Sequence, residues 1–230
     1  MTAVKLVALM STVAVAGAGA MWAFVDSRDE APPVTTSSSV APPPLTQDDG
    51  LIGARTLGST DAPVTIYEVS DFQCPFCRSF WEETLPTIER EYIETGKVRL
   101  IFLNFPIAQL HPNAPAAHEF AMCAARQDLF WPVHDLLFRY QQEWGKLDEP
   151  GAYFRALADS ASLSREPLEE CFETGAVRGI IADESQSVWR AGINSTPSFM
   201  IEGGLLAGAQ PIEIWRPILD SLVELRNSRQ

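Results

Sequence analysis

The run Cys74-Pro75-Phe76-Cys77 follows an apolar stretch, Val64-Thr65-Ile66-Tyr67-Glu68-Val69, and opens a segment with helical periodicity. Two thiols in a Cys-x-x-Cys spacing at a strand-to-helix junction suit either a redox pair or half of a metal site. The proline makes the two sulfurs unequal. It biases Cys74 toward extended geometry and is well tolerated as the first residue of a helix. Cys74 is therefore predicted at the N-cap, Pro75 at N1 and Cys77 at N3. Free backbone N–H groups and the positive end of the helix dipole converge on an N-cap sulfur, which favours thiolate over thiol. Cys74 is the expected nucleophile. Cys77, on the buried side of the first turn, suits the resolving role.

A structural zinc site needs four ligands, ordinarily as two cysteine or histidine pairs. Cys123 and Cys171 stand alone in the sequence, and His111, His118 and His134 form no paired motif. Neither a metal nor an organic cofactor is called for. The three histidines read as surface or packing residues, and Trp131, Phe138, Tyr140 and Trp144 as core or groove lining. A Cys74–Cys77 bridge used only as a staple would close too short a loop to remove much unfolded-state entropy. Redox exchange fits the pair best.

The elements that must hold this pair follow from periodicity. Residues 64–69, rich in β-branched and aromatic side chains, read as a strand. The helix after the cysteines runs to about Thr95, with Cys77, Trp81, Leu85, Ile88 and Tyr92 on one face. Pro86 is expected to kink it, and Gly96 to cap it. Residues 98–105 form a second strand, apolar enough to be central in a sheet. Helical stretches follow at about 113–126, 130–143, 151–160, 165–174 and 176–191. Strand character returns at Ser198-Phe199-Met200-Ile201, with Gly203-Gly204 as a tight-turn signal leading into Leu205-Leu206. A last helix starts at Pro211, with Ile212, Trp215, Ile218, Leu219 and Leu222 inward. The fold class is α/β: one core with an all-helical insertion over about residues 111–192.

The N-terminus points outward. Lys5 precedes an apolar run from Leu6 to Val25, about 30 Å long as a helix and enough to span a bilayer core. Residues 1–25 are thus read as a transmembrane anchor. A signal peptide cleaved near Ala18-Gly19-Ala20 is the other reading; continuation through Trp22 to Val25 favours the anchor. Both readings export the rest of the chain. Residues 26–50, with Ala31-Pro32-Pro33 and Ala41-Pro42-Pro43-Pro44, lack apolar periodicity and read as a disordered, extended linker. The net charge of −13 over 230 residues disfavours nonspecific contact with nucleic acid or anionic lipid.

The stretch Glu68-Val69-Ser70-Asp71-Phe72-Gln73-Cys74-Pro75-Phe76-Cys77 resembles the active-site region of the DsbA-like thiol:disulfide oxidoreductases of the thioredoxin superfamily. Asn194-Ser195-Thr196-Pro197-Ser198-Phe199-Met200 is similar to that family's cis-proline loop. Cys123-Ala124-Ala125-Arg126-Gln127 with Phe130-Trp131 is similar to its inserted helices. The resemblance covers about residues 51–227. It implies a thioredoxin-like domain there, a cis Pro197 beside the cysteines, and substrate peptide pairing next to Thr196 and Pro197. The family also implies a buried acid near the thiols. Glu68 fits that role if the strand turns it inward, where burial would raise its pKa; turned to solvent, it has no role. The resemblance departs at Phe76 and Thr196, where the best-known DsbA enzymes carry histidine and valine. Both positions bear on thiolate stabilisation.

In an exported protein the remaining cysteines, Cys123 and Cys171, are expected to pair, and the family suggests a structural disulfide there. Two buried free thiols are the alternative. The expected activity is disulfide formation in exported, cysteine-containing proteins, with a membrane-bound or soluble redox partner resetting Cys74 and Cys77. The alternatives are a reductase or isomerase of the same fold, or a membrane-tethered peptide-binding holdase without catalysis.

Overall fold

The computed structural model of the chain describes residues 50–228. The expected anchor (1–25) and all of the linker (26–50) except Gly50 lie outside the described residues. Among those described, no helix is long and apolar enough to cross a membrane.

After a short helix, α1 (Leu51–Ala54), and a two-residue strand, β1 (Thr56–Leu57), the chain builds a sheet around β2 (Val64–Ser70) and β3 (Val98–Asn104). These two run parallel, with Val64 opposite Val98 and Ser70 opposite Asn104. Both are rich in branched and aromatic side chains, as strands covered on both faces require. Neither α1 nor β1 was expected: each is too short to display a period. β1 pairs antiparallel with β3, β4 (Ser198–Ile201) with β2, and β5 (Gly204–Ala207) with β4, giving the order β1-β3-β2-β4-β5. The β4–β5 turn uses Glu202 and Gly203, at φ 49° and 85°. It sits one residue before the expected Gly203-Gly204, because a two-residue loop of this hand needs left-handed backbone at both positions and Gly204 already pairs with Ile201.

Parallel neighbours need a crossover, and residues 75–93 supply it. They form α2 (Pro75–Ser79) and α3 (Leu85–Ile88), with π-helical turns at Phe80–Thr84 and Glu89–Ile93. Pro86 gives no N–H to the turn before it, and its ring crowds the carbonyl there. The wide turn immediately upstream absorbs that misfit. It also rotates the buried face. Phe80 and Thr84 are buried with Cys77, Leu85, Ile88 and Tyr92, while Trp81, expected on that face, is half-buried.

Between β3 and β4 the chain is helical: α4 (Ala114–Ala125), α5 (Phe130–Arg139), α6 (Gln141–Trp144), α7 (Gly151–Ser160), α8 (Arg165–Thr174) and α9 (Arg178–Arg190). Small residues on α4, Ala117, Ala121 and Ala124, let neighbours approach, and Phe120, Phe130, Phe138, Trp144 and Phe154 fill the space around them. That cluster is continuous with Phe72, Cys74 and Cys77. On the same face of the sheet lies α10 (Ile212–Asn227), whose Trp215 packs against Phe80 and Phe199, while Val188 of α9 packs with Val69, Ile101 and Leu103 on the opposite face.

Two long-range ties fix the helices to the sheet and to each other. Arg55 and Glu184 form an ion pair at 2.8 Å, with side chains 1% and 10% exposed. Arg55 also donates to the Phe102 carbonyl, and Glu184 accepts from the Asn104 backbone N–H and side-chain amide. Cys123 on α4 and Cys171 on α8 form a disulfide across 48 positions, with their Cα atoms 5.8 Å apart. Replacing both cysteines by alanine is expected to lower the unfolding free energy by about 4 kcal/mol, the entropy released when a 48-residue closure is opened. Urea unfolding of the two proteins measures this; equal midpoints would show that the bridge adds no stability.

Candidate active site

Cys74 has the extended backbone of an N-cap (φ −70°, ψ 124°), and Pro75 is the first helical residue. Both Cys74 and Cys77 are free thiols. Cys74 is 4% exposed and Cys77 fully buried. The Cys74 thiol donates to the carbonyl of Thr196 at 3.4 Å, and the Thr196–Pro197 bond is cis. The Cys77 sulfur accepts from the Asp71 backbone N–H at 3.5 Å. These surroundings push the sulfurs in opposite directions. A hydrogen bond from Cys77 lowers the Cys74 thiol to about 6, against burial and with help from the Thr196 side-chain hydroxyl and the backbone of Cys77 and Phe76. Burial, then the hydrogen bond and charge of Cys74, raise the Cys77 thiol well above its ordinary value.

The loop that carries the pair is held on all sides by residues the sequence pattern did not single out. The buried Asp71 carboxylate accepts from the backbone N–H groups of Gln73 and Ile107, each at 2.8 Å, and lies 2.9 Å from His111 Nδ1. Gln141, on α6, donates to the carbonyls of Phe72 and Cys74. The Gln73 side chain accepts from the Asn113 N–H and donates to the Gly145 carbonyl. Asp71 and Gln73 could have been suspected from their nearness to Cys74. Asn113 and Gln141 are single polar residues in helical surroundings and gave no signal.

Glu68 is 1% exposed, so β2 turns its carboxyl inward. Ser70 shares that face by the period of two. Glu68 Oε2 and Ser70 Oγ are both buried without a hydrogen-bond partner among the described residues. Burial pushes the Glu68 carboxyl up to about 7, with the neighbouring Ser70 hydroxyl pulling the other way. Two of the three histidines are packing residues. His134 is ringed by Phe72, Phe102, Phe130 and Phe138. His118 accepts from the Phe72 N–H through Nε2, so its Nδ1 holds the proton donated to Asn104 Oδ1 at 2.7 Å. Burial lowers His118 to about 4 and keeps it neutral. His111 is different: it is tied to Asp71 beside the cysteine loop.

Among the described residues no group of three or more histidine, cysteine or acidic side chains could hold a metal ion. A cavity of about 490 Å³ opens beside the Asn194–Pro197 loop, walled by Phe105, Ile107, Trp189 and Asn194. Trp189, Phe76 and Leu110 are large apolar side chains left more than half exposed, at 64%, 65% and 72%.

The thioredoxin family model matches residues 51–221. A Na(+)/H(+) antiporter, NhaA 3 of Salinispora tropica, is 30% identical over 156 residues, which are 68% of this chain and 22% of that protein. The chain thus spans about a fifth of the antiporter's length. The probable disulfide bond formation protein D of Bacillus anthracis is 28% identical over 66% of this chain and 70% of its own length. The crystal structure of alpha-DsbA1 from Wolbachia pipientis superposes with a TM-score of 0.68 at 22% identity, over 76% of this chain and 93% of that one. The family match spans nearly the whole described fold, and the solved relative has the same architecture. The chain belongs to the thioredoxin family and is a DsbA-like member of it.

Proposed function

We propose that this chain is a protein thiol:disulfide oxidoreductase, and that it forms disulfides in exported proteins through Cys74 and Cys77. The observation that carries the reading is the opposite displacement of the two thiols, Cys74 down to about 6 and Cys77 well up. In the oxidised protein a client thiolate attacks Cys74 Sγ, the Cys74–Cys77 bond breaks, and Cys77 leaves with the electron pair. Cys77 is a strong base and needs a proton to leave well. Glu68, poised near 7 in the same buried layer, is suited to supply it. The client's second thiolate then attacks the client sulfur of the mixed disulfide. Cys74 departs as a stable thiolate, a good leaving group. Return attack by Cys77 is slowed because its thiol stays protonated. Both features drive electrons from client to enzyme.

The rest of the site fits a client in extended form. The Thr196 carbonyl lies against Cys74, and the neighbouring backbone can pair with a passing strand without reading its sequence. The cavity that Asn194 helps to wall offers room for a client side chain near that loop. The apolar run of residues 1–25 and the Cys123–Cys171 bridge both suit an oxidising compartment outside the cytoplasm, with the domain tethered to the membrane or released from it. Each turnover leaves Cys74 and Cys77 reduced, so a partner bearing a disulfide or an equivalent two-electron oxidant must take the pair of electrons. The likeness to disulfide bond formation protein D supports the same reading.

Alkylation of reduced protein is expected to label Cys74 first, with a rate that rises through a midpoint near pH 6, while Cys74→Ser abolishes exchange. Equilibration with glutathione is expected to give a potential nearer about −120 mV than about −270 mV. A value at the lower end would overturn the oxidase direction. Glu68 makes a separate prediction. A carboxyl raised from 4.5 to about 7 is a folded-state asset while neutral, fully present below pH 4.5 and lost as pH rises through about 7. Glu68→Gln is therefore expected to be more stable than the parent at pH 8, by about 3 kcal/mol, with no gain at pH 4. Its release of Cys77 should be slower below about pH 7, where the parent carboxyl still holds the proton, and the difference should shrink at pH 8. A stability difference that does not change with pH would show that Glu68 is not a strained buried acid.

A further inference from the structure

We propose that Asp71 and His111 form a positioning pair that holds an imidazolium beside Cys74 and so favours the reduced, thiolate form of the site. The inference rests on the exchange activity proposed above, and it gives His111 a role beyond packing.

The geometry is a closed ring of hydrogen bonds built on the Asp71 carboxylate. Oδ2 accepts from the Ile107 backbone N–H at 2.8 Å and meets His111 Nδ1 at 2.9 Å. The His111 backbone N–H donates to the Ile107 carbonyl at 2.9 Å, and its own carbonyl accepts from Ala114 at the start of α4. The ring can therefore neither swing away nor slide along the loop. The same Asp71 touches both cysteines through its backbone: its N–H donates to Cys77 Sγ, and its carbonyl accepts the Cys74 N–H at 3.0 Å. One residue thus sets the place of the imidazole and of both sulfurs. The His111 side chain is only 17% exposed and the Asp71 side chain fully buried, so water screens their charges poorly.

A carboxylate accepting two backbone N–H groups stays an acceptor, and it commits His111 Nδ1–H as donor in either protonation state. The proton that comes and goes is the one on Nε2. The charged or titratable groups that bear on the imidazole are Asp71, from the loop after β2, and Cys74, at the head of α2. Behind them stand Cys77, held protonated by burial, Glu68, whose carboxyl ionises around pH 7, and the neutral His118. The hydrogen bond to Asp71 comes first in raising His111, and the Cys74 thiolate adds to it.

The consequence for redox chemistry follows from a difference between states. In the disulfide Cys74 carries no charge and the imidazolium gains nothing from it. In the dithiol form Cys74 is a thiolate and the attraction is present. An interaction made only in the reduced state shifts the equilibrium toward it and makes the pair a stronger oxidant. The effect operates where both charges exist together, from about pH 6, where Cys74 ionises, up to the raised pKa of His111. Above that pKa it is lost.

The test uses the full chain with His111→Gln and His111→Lys. The glutamine variant is expected to raise the midpoint of Cys74 alkylation and to weaken oxidation of glutathione about tenfold, equivalent to about 30 mV for a two-electron couple. The lysine variant, which keeps a positive charge, is expected to recover most of both. Values within twofold of the parent for the glutamine variant would overturn the proposal, as would a lysine variant no better than glutamine. A second reading needs no His111 variant. By reciprocity the His111 pKa, followed by NMR, must be higher in reduced than in oxidised parent protein; equal values would overturn the proposal even if neither variant folds. Absence of selective Cys74 labelling in the parent would instead count against the exchange reading itself.

Discussion

Two sulfurs one helical turn apart cannot both be ionised in an apolar site, because the second charge would be neither solvated nor paired. The whole arrangement around Cys74 and Cys77 follows from which one is charged. The choice is made by Pro75. It starts the helix at Cys74, leaving that sulfur among unpaired N–H groups, and it places Cys77 within the first turn, fully buried. The Cys77 thiol then becomes a donor to the Cys74 sulfur, which lowers one and raises the other with a single bond. An asymmetry that began as a backbone preference of one residue ends as a division of chemical roles.

The helix start must be held still for this to work, and the holding comes from far away in sequence. Residues 71–74 are a loop, and a loop has no ladder to satisfy its backbone. Asp71 satisfies part of it with its own side chain, Gln141 satisfies more from the helical insertion, and Asn113 holds the Gln73 side chain. The insertion is therefore more than a cover. It supplies the donors that fix the cysteine loop, while the Arg55–Glu184 pair and the chain Glu184–Asn104–His118–Phe72 tie the helices to the same loop from behind. Breaking a buried, fully paired network leaves uncompensated charge, so this support is stiff.

How much of this was legible beforehand depended on whether the signal was local. Cys74-Pro75-Phe76-Cys77 could be read directly, since proline restricts its neighbours by sterics alone. The strands and most helices could be read because apolar residues recur at a fixed period. The cis Thr196–Pro197 bond entered only through resemblance; nothing in the dipeptide itself requires it. The π-helical turns were not legible beyond the expectation of a kink at Pro86, and so Trp81 was placed too deep. Arg55, Glu184, Asn113 and Gln141 were invisible for a different reason. A lone polar residue has no period, and the partner that permits its burial lies tens of residues away. His111 was assigned to packing on the same grounds, while the feature that distinguishes it is a hydrogen bond to Asp71 across 40 positions.

The polar residues around the cysteines also differ in what they can do, and burial sorts them. His118 and His134 are fully buried, and desolvation holds both neutral, so they orient backbone and pack aromatic rings without adding charge. Glu68 is buried as well, but its carboxyl sits at about 7, where a proton can be given and recovered. His111 is partly exposed and paired with a buried carboxylate, which keeps its proton rather than removing it. The proposed exchange therefore assigns Glu68 as proton donor to Cys77 and His111 as the cation for Cys74. Electron-pair transfer from a client needs a proton delivered to the leaving sulfur and a charge stabilised on the other.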